Sequence, residues 1–337
     1  MPAPTPSILL LGAAGYIGGT VLTDLLKTYD ASTITALVRT EKNAALLAPL
    51  GIKTVLGSLD NVALVSSLAK SHDVVFNFAV PFGGGDASIQ ALVDSLEARA
   101  DEGKAAFKPV LLQISGTGSI LYGSDGVAGT DVWTDEQYER WESLPDTAFF
   151  HGGDKIVAAA AARGKISAYI VMSPTVYGQG TGPGNKLSLQ LPAYVRYAKR
   201  AGHAAYIGKG ENIWGNVHVE DLSALYLLLL SHSLANPSST TASAASHGWE
   251  NLIYSGQNQH AWGPTVSLVG DLLHARGDVA QPGAKSIGEG EGDLYMFGGN
   301  SFMAVSEKAK RLIGWTQRQV GLEEAIRQAL PAPTSVA

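Results

Sequence analysis

The sequence predicts an α/β fold, a doubly wound parallel sheet followed by a smaller C-terminal substrate lobe. Three observations predict it. A short apolar run, Ile8-Leu9-Leu10-Leu11, breaks at once into Gly12, Gly15 and Gly18. Strand-like runs and helical periodicities then alternate through five repeats, the pattern of parallel strands joined by crossover helices. Beyond about Gly178 the sequence changes character. This sets a first domain at residues 1–178 and a lobe at 179–330 with segments returning to the sheet, followed by a disordered tail at 331–337.

The opening run reads as a buried parallel strand, and Tyr16 to Lys27 as a helix with Ile17, Val21, Leu22, Leu25 and Leu26 on one face. Gly12 lets the chain turn sharply out of the strand. Gly15 removes a side chain where backbone must approach a pyrophosphate, and Gly18 lets the helix pack tightly on the sheet. The helix N-terminus offers free N–H groups and a positive dipole end to phosphates. Gly12, Ala14, Gly15, Tyr16, Ile17 and Gly18 are therefore expected to bind a dinucleotide.

Thr33 to Val38 reads as the second strand. NAD-preferring folds of this kind place an acid near its end for the ribose 2′-hydroxyl. Here Arg39 stands there, with Thr40 and Lys42 behind it. A guanidinium suits a 2′-phosphate, so NADP(H) is the preferred cofactor, with NAD(H) the alternative. A short helix over Asn43–Leu50, a strand at Lys53–Gly57 and a helix at Val62–Ala69, with Asp60 as its expected cap, come next. The strand Asp73–Val80 is apolar on both faces except Asn77, as a central parallel strand should be. A helix over Asp86–Glu102 leads to a strand at Val110–Ile114.

The spacing G-x-x-G-x-x-G resembles the short-chain dehydrogenase/reductase superfamily, in its extended and atypical branches of epimerase/dehydratase type. Other segments carry the same resemblance: Ser115-Gly116-Thr117-Gly118-Ser119 with Tyr122-Gly123, Ser173-Pro174-Thr175-Val176-Tyr177-Gly178, Asn216-Val217-His218-Val219-Glu220-Asp221-Leu222, and Ser306 to Trp315. It implies a Rossmann domain with adenine near Ser58 and Leu59, and the nicotinamide ribose over Ala79, Val80 and the turn Pro81 to Gly85. The nicotinamide carboxamide would lie near Pro174, Thr175 and Val176. Ser115 or Thr117 would hydrogen-bond a substrate oxygen. The family's Tyr-x-x-x-Lys is replaced by His151-Gly152-Gly153-Asp154-Lys155. Residues four apart share a helix face, so His151 and Lys155 are expected to face one ligand. His151 would act as acid/base directly or serve only as a hydrogen-bonding residue in a site that has lost redox chemistry, with Tyr122, Tyr138 and Tyr177 as alternative phenols, and Lys155 would hold the nicotinamide ribose. By the same comparison Asp221 caps a helix and His218 packs beneath the lobe junction.

Further along, Ile166 to Met172 reads as a strand and Leu187 to Ala201 as a helix. Gly208 to Trp214 reads as a hairpin and Leu322 to Ala329 as a last helix. Residues 124–146, with Trp133, Tyr138 and Trp141, form a mobile insert able to close over a substrate, and residues 178–185 a flexible loop. Asn236 to Ser246 is a low-complexity loop.

Composition sets the remaining bounds. The chain has 337 residues, 45% of them hydrophobic and 16% charged, with a net charge of −6, which argues against a nucleic-acid or anionic-membrane surface. It has no cysteine, so disulfides, thiolate catalysis and thiolate metal sites are excluded. No spacing of metal ligands occurs. Neither a signal peptide nor a membrane span is expected, and the expected compartment is the cytoplasm. The resemblance also implies a homodimer. The functional expectation is an NADP(H)-dependent oxidoreductase moving hydride to or from a small hydrophobic or aromatic carbonyl or hydroxyl substrate. Two alternatives stay open: a non-redox epimerase, dehydratase or cyclase on the same scaffold, and an NADP(H)-binding sensor without turnover.

Overall fold

Seven parallel strands form the main sheet of the computed structural model, in the order β10-β6-β5-β4-β1-β2-β3. The structure describes residues 5–80, 85–103, 106–236, 247–288, 294 and 297–331. Residues 81–84 of the expected nicotinamide-ribose turn, 237–246 of the low-complexity loop and 332–337 of the tail lie outside the described residues.

The first half alternates strand and helix: β1 (Ile8–Leu11), α1 (Tyr16–Leu25), β2 (Ile34–Val38), α2 (Glu41–Leu47), β3 (Lys53–Leu56), α3 (Val62–Lys70), β4 (Val74–Asn77), α4 (Asp86–Asp101) and β5 (Val110–Gly116). After α5 (Tyr138–Glu142) and α6 (His151–Arg163) the chain returns as β6 (Ser167–Ser173) and β7 (Thr175–Tyr177). The remainder comprises α7 (Gln190–Ala201), β8 (Ala204–Ile207), β9 (Ile213–His218), α8 (Val219–Ala235), β10 (Leu252–Tyr254), β11 (Asn258–Ala261), α9 (Trp262–Ala275), β12 (Ala284–Ile287), α10 (Lys308–Ile313) and α11 (Leu322–Ala329).

Period-two alternation divides the sheet's side chains between two cores. Ile8, Leu10, Val74, Phe76, Val110 and Leu112 pack with α1 and α8, whereas Leu9, Leu11, Val75, Leu111, Ile170 and Met172 pack with α3, α4 and α6. Both faces are covered, which is why β1 and β4 carry almost nothing polar. The chain winds one way through β1, β2 and β3 and the other way through β4, β5 and β6. The switch point lies between β1 and β4, where ligands of such sheets bind at the strands' carboxyl ends.

The lobe has its own core, around Tyr177, Tyr194, Trp214, Trp262 and Phe297. Two small sheets frame it, β11-β9-β7 and β12-β8. The expected hairpin at Gly208–Trp214 is absent: β8 pairs with β12, and β9 pairs with β7 and β11. Left-handed Gly208 and Gly210 turn the chain between sheets, and the carbonyls of Asp125 and Gly126 accept from the N–H groups of Lys209, Glu211 and Asn212. The insert thus takes the donors of that turn.

The insert itself is tied down. Trp133 and Trp141 are buried 4.9 Å apart, with the Arg140 guanidinium 3.7 Å above the Trp133 ring. Asn300 accepts from Gly129 N and Ile213 N and donates to Val127 O, stitching insert to lobe. Asp135 accepts from Tyr254 N and Ser306 Oγ. These bonds and the buried indoles pack the insert against the lobe and β10. No helix among the described residues is long and apolar enough to cross a membrane.

Candidate active site

The cofactor turn has the geometry its glycines require. Gly12 leaves β1 at φ +90°, a conformation that disfavours a side chain. A Cβ on Gly18 would collide with the Gly12 carbonyl oxygen, and one on Gly15 would sit 3.0 Å from it. Helix and strand are therefore as close as backbone permits. Gly15, the N-cap of α1, has no side chain to cap the first N–H groups. They remain for an anion. A cavity of about 250 Å³ opens here, lined by Gly12, Gly15, Tyr16, Ile17, Phe78 and Asn185 among others. A cradle that added Cβ atoms would fill fits a dinucleotide pyrophosphate.

The loop expected to be flexible is packed against this turn. Tyr16 Oη donates to Gly178 O at 2.7 Å, and Asn185 N donates to Ala14 O at 3.0 Å. A Cβ on Gly182 would stand 2.6 Å from the Gly19 backbone, and one on Gly184 would collide with Ala14 O. Glycines on both sides let two backbones touch, so the loop becomes a wall of the cavity. Ala14 and Tyr16 hold protein contacts through their carbonyl and hydroxyl groups.

At the other end of the groove, Gly57 N bonds to Val38 O at 2.9 Å, which sets Ser58 beside the exit of β2. Arg39 is exposed at that exit and forms no ion pair among the described residues. Ser58 Oγ donates to Asp60 Oδ2 at 2.8 Å, and Leu59 packs on the α3–α4 core. Asp60 does not cap α3. Asn61 does, accepting from Leu64 N, because it immediately precedes the first helical residue.

The strand ends that would meet the nicotinamide are fixed by a buried amide pair. Asn77 Nδ2 donates to Gln113 Oε1 at 2.9 Å across β4 and β5, and Asn77 Oδ1 accepts from Ala79 N at 3.2 Å. Ala79 and Val80 are half-buried, whereas Thr175 and Val176 are buried at β7 just after Pro174. Ser115 and Gly116 pair with Met172 and Ser173. Thr117 is buried, its carbonyl accepting from Ser301 Oγ at 2.8 Å.

The largest departure lies in α6. His151 and Lys155 share a face, and their recorded contacts are with Trp249 and Asp146. The buried His151 ring stacks on Trp249 at 5.7 Å, and the exposed Lys155 Nζ pairs with Asp146 at 2.9 Å. One residue round the helix, Phe150 and Asp154 face the end of β5. A Cβ on Gly116 would sit 3.0 Å from the Phe150 ring, and Ser115 Oγ donates to Asp154 Oδ2 at 2.6 Å. The side chain that reaches Ser115 is thus Asp154, with Phe150 beside Gly116. Phe150 stands at φ +64° as the N-cap just outside the helix.

Electrostatics set the two groups apart. Burial pushes the Asp154 carboxyl up to about 8; the Asp86 carboxylate adds to this and the Ser115 hydrogen bond opposes it. At neutral pH it is a proton-carrying group hydrogen-bonded to a serine hydroxyl. Burial, then the Lys155 charge, lower the His151 pKa. The neutral ring's Nε2 has no partner among the described residues. Asp154 was missed because its partner is 39 positions away; the only sequence signal was a carboxylate set among glycines and alanines in a buried helix.

The His218–Asp221 expectation is also reversed. His218 Nδ1 caps α8 by accepting from Glu220 N, while Asp221 accepts from Arg318 N and Gln319 N. Trp315 Nε1 donates to the Asp221 backbone carbonyl, so both the carboxylate and the main chain of Asp221 anchor the C-terminal segment. Both residues are structural. Among the described residues no cluster of His, Asp or Glu could hold a metal.

Comparison with known proteins agrees with this fold. The family model described as NAD dependent epimerase/dehydratase family matches residues 8–242. The oxidase ucsJ of Acremonium sp is 26% identical over 299 residues, 85% of this chain and 84% of the relative. The uncharacterized protein YLL056C of Saccharomyces cerevisiae is 23% identical over 95% of this chain and 97% of its own. Among solved structures, dTDP-glucose 4,6-dehydratase of Bacillus anthracis in complex with NAD superposes with a TM-score of 0.65 at 17% identity, covering 96% of both chains. UDP-glucuronic acid 4-epimerase of Bacillus cereus, in complex with UDP-glucuronic acid and NAD, gives 0.63 at 16%, covering 95% of this chain and 96% of its own. These two likenesses show the fold.

Proposed function

The chain belongs to the NAD dependent epimerase/dehydratase family, and on that premise we propose that it is an NADP(H)-preferring oxidoreductase. Its substrate is a small carbonyl or hydroxyl compound of hydrophobic or aromatic character. The observation that carries this reading is the Ser115–Asp154 pair at the carboxyl end of β5. If the Ser115 hydroxyl turns from Asp154 to a substrate carbonyl oxygen, it can pass its proton there while the neutral Asp154 carboxyl donates its own proton to Ser115 Oγ, leaving Asp154 ionised. The dinucleotide, when bound, supplies or accepts the hydride.

In this reading the turn from Gly12 to Gly18 holds the pyrophosphate. Ser58 and Leu59 lie along the adenine, and Ala79, Val80, Pro174, Thr175 and Val176 surround the nicotinamide end. Exposed Arg39, with no carboxylate bound to it, supports a 2′-phosphate partner and hence NADP(H). The kinship with the oxidase ucsJ is consistent with redox chemistry. Lys155 and His151 take no part, since their side chains face Asp146 and Trp249. Thr117 is a second hydroxyl beside Ser115.

One observation favours a second reading. His151, in the position where the family resemblance places an acid/base tyrosine, is buried against Trp249, and the ring beside Gly116 is that of Phe150, which has no hydroxyl. That supports a non-redox isomerase, dehydratase or cyclase, or a cofactor-binding sensor. NADPH oxidation against a panel of aldehydes, aryl ketones and quinones separates the readings. The oxidoreductase reading expects turnover with at least one carbonyl and a fall of about a hundredfold or more in Ser115→Ala and Asp154→Asn. NADPH oxidation by none of them, or equal rates in the variants, contradicts it.

A further inference from the structure

The insert and the segment that follows β5 enclose a cavity of about 360 Å³. Gly118 to Tyr122 line one side of it, Trp133 a second, and Leu144 with Phe149, just ahead of α6, a third. It shares no lining residue with the cavity at the cofactor turn. Phe149 is 40% exposed, so the cavity opens to solvent beside that ring. A missing side chain helps keep it open. A Cβ on Gly118 would stand 3.7 Å from the Phe150 ring and 3.9 Å from the Phe149 ring, both ordinary contact distances, and Gly118 is not left-handed. A side chain could therefore stand there without strain, in the space beside Phe149. A Cβ on Gly116 would sit 3.0 Å from the same atom of the Phe150 ring. One ring thus borders both the cavity floor and the end of β5, where Ser115 meets Asp154.

The polar groups of the lining are already engaged. Tyr122 Oη donates to Asp131 O and accepts from Asp131 N, both at 2.9 Å. The Asp131 carboxylate accepts from Arg140 at 2.6 Å, and Ser119 Oγ is shared between the Gly116 and Phe149 carbonyls. An ionic guest would lose its hydration here and find no unpaired counter-charge among these groups to offset the loss. An aromatic guest would find the Trp133 and Phe149 rings, whose contacts with another ring add to the gain from burial alone. Volume sets the size. A cavity of about 150 Å³ takes one benzene ring, so about 360 Å³ takes two fused rings with a short substituent.

We propose that this cavity binds an uncharged two-ring aromatic compound and holds the ring end of the substrate, whose carbonyl end passes Phe150 to reach Ser115. Ser115 and Gly118 are three residues apart, at most about 11 Å along the chain, a span that a substituted two-ring ketone bridges. A one-ring or aliphatic carbonyl compound leaves the cavity part-empty and is the poorer substrate. The identification of the guest as substrate rests on the oxidoreductase reading above; its binding does not.

Saturation-transfer NMR with 2-acetylnaphthalene as probe, on wild type, Gly118→Leu and Phe149→Ala, tests the proposal. Each protein is also melted and titrated with NADPH. Leucine at position 118 fills the cavity and removes no side-chain hydrogen bond, while alanine at position 149 removes one aromatic wall from an exposed place. The expected result is probe binding to wild type, weakened about tenfold or more in Gly118→Leu and about threefold or more in Phe149→Ala, with unchanged NADPH affinity. Should Gly118→Leu melt well below wild type, Phe149→Ala decides by itself. No binding to wild type, or wild-type affinity in the folded variants, would overturn the site. Displacement of the probe by UDP-glucose would overturn the ligand class. Probe binding with that variant pattern but no NADPH binding would defeat the oxidoreductase reading and leave the cavity site standing.

Discussion

Asp154→Asn should make the protein more stable, and increasingly so as pH rises. The carboxyl is fully buried and its pKa is pushed from 3.8 to about 8, chiefly by burial. A folded-state pKa raised above the unfolded value means that the folded chain keeps a proton which the unfolded chain releases. The stabilisation from that proton is fully present below about pH 4 and is lost as pH rises towards about pH 8. The slope is about 1.4 kcal/mol per pH unit, so ionisation costs on the order of 5 kcal/mol across the window. Asparagine keeps an oxygen to accept from Ser115 Oγ and has nothing to ionise. Urea unfolding of both proteins, in unit steps from about pH 5 to about pH 8, isolates this site, because the other titrating groups cancel in the difference. The gap between the two curves should widen by about 1.4 kcal/mol per pH unit. Parallel curves would refute the buried neutral carboxyl and with it the proton-holding role of Ser115–Asp154.

Other perturbations follow from the same geometry. Lys155→Met removes an exposed pair and should change NADPH affinity by less than about twofold, measured by calorimetry; a large loss would return Lys155 to the cofactor. Gly184→Ala places a methyl group against Ala14 O and should weaken NADPH binding while costing about 1–3 kcal/mol in urea unfolding. Gly321→Ala, with nothing near its Cβ but at the N-cap of α11, should leave NADPH binding unchanged and cost at most about 1 kcal/mol. Asn300→Ala orphans Gly129 N, Ile213 N and Val127 O and should cost about 3 kcal/mol. Its insert should then be cleaved faster by limited proteolysis than that of the wild type.

The sheet was legible because its signals are local. Apolar runs, glycines and helical faces each occupy a few adjacent residues, so β1 to β6 and α1 to α4 appear in the sequence within a few residues of their true ends. β10 escaped because Leu252–Tyr254 is three residues long and owes its place to pairing with β6. The phase of α6 was illegible for a different reason. Four-residue spacing says which side chains share a face, not where that face points. Both Phe150/Asp154 and His151/Lys155 satisfy it, and only the packing against Ser115, Gly116 and Trp249 decides between them. Likewise His218 and Asp221 both stand near the start of α8, and only the returning segment at Arg318 and Gln319 decides which of them caps it. The insert and the loop at 178–185 read as mobile because their composition is polar or glycine-rich. The contacts that hold them come from residues more than a hundred positions away, such as Asn300 and Tyr16.

The central claim is a dinucleotide site that selects NADP(H) through Arg39. Calorimetric titration of NADPH and NADH into wild type and Arg39→Ala tests it most directly. The account predicts tighter binding of NADPH than NADH, a loss of about tenfold to a hundredfold for NADPH in the variant, and unchanged NADH affinity. Equal affinity of the wild type for the two nucleotides, or no binding of either, would contradict it.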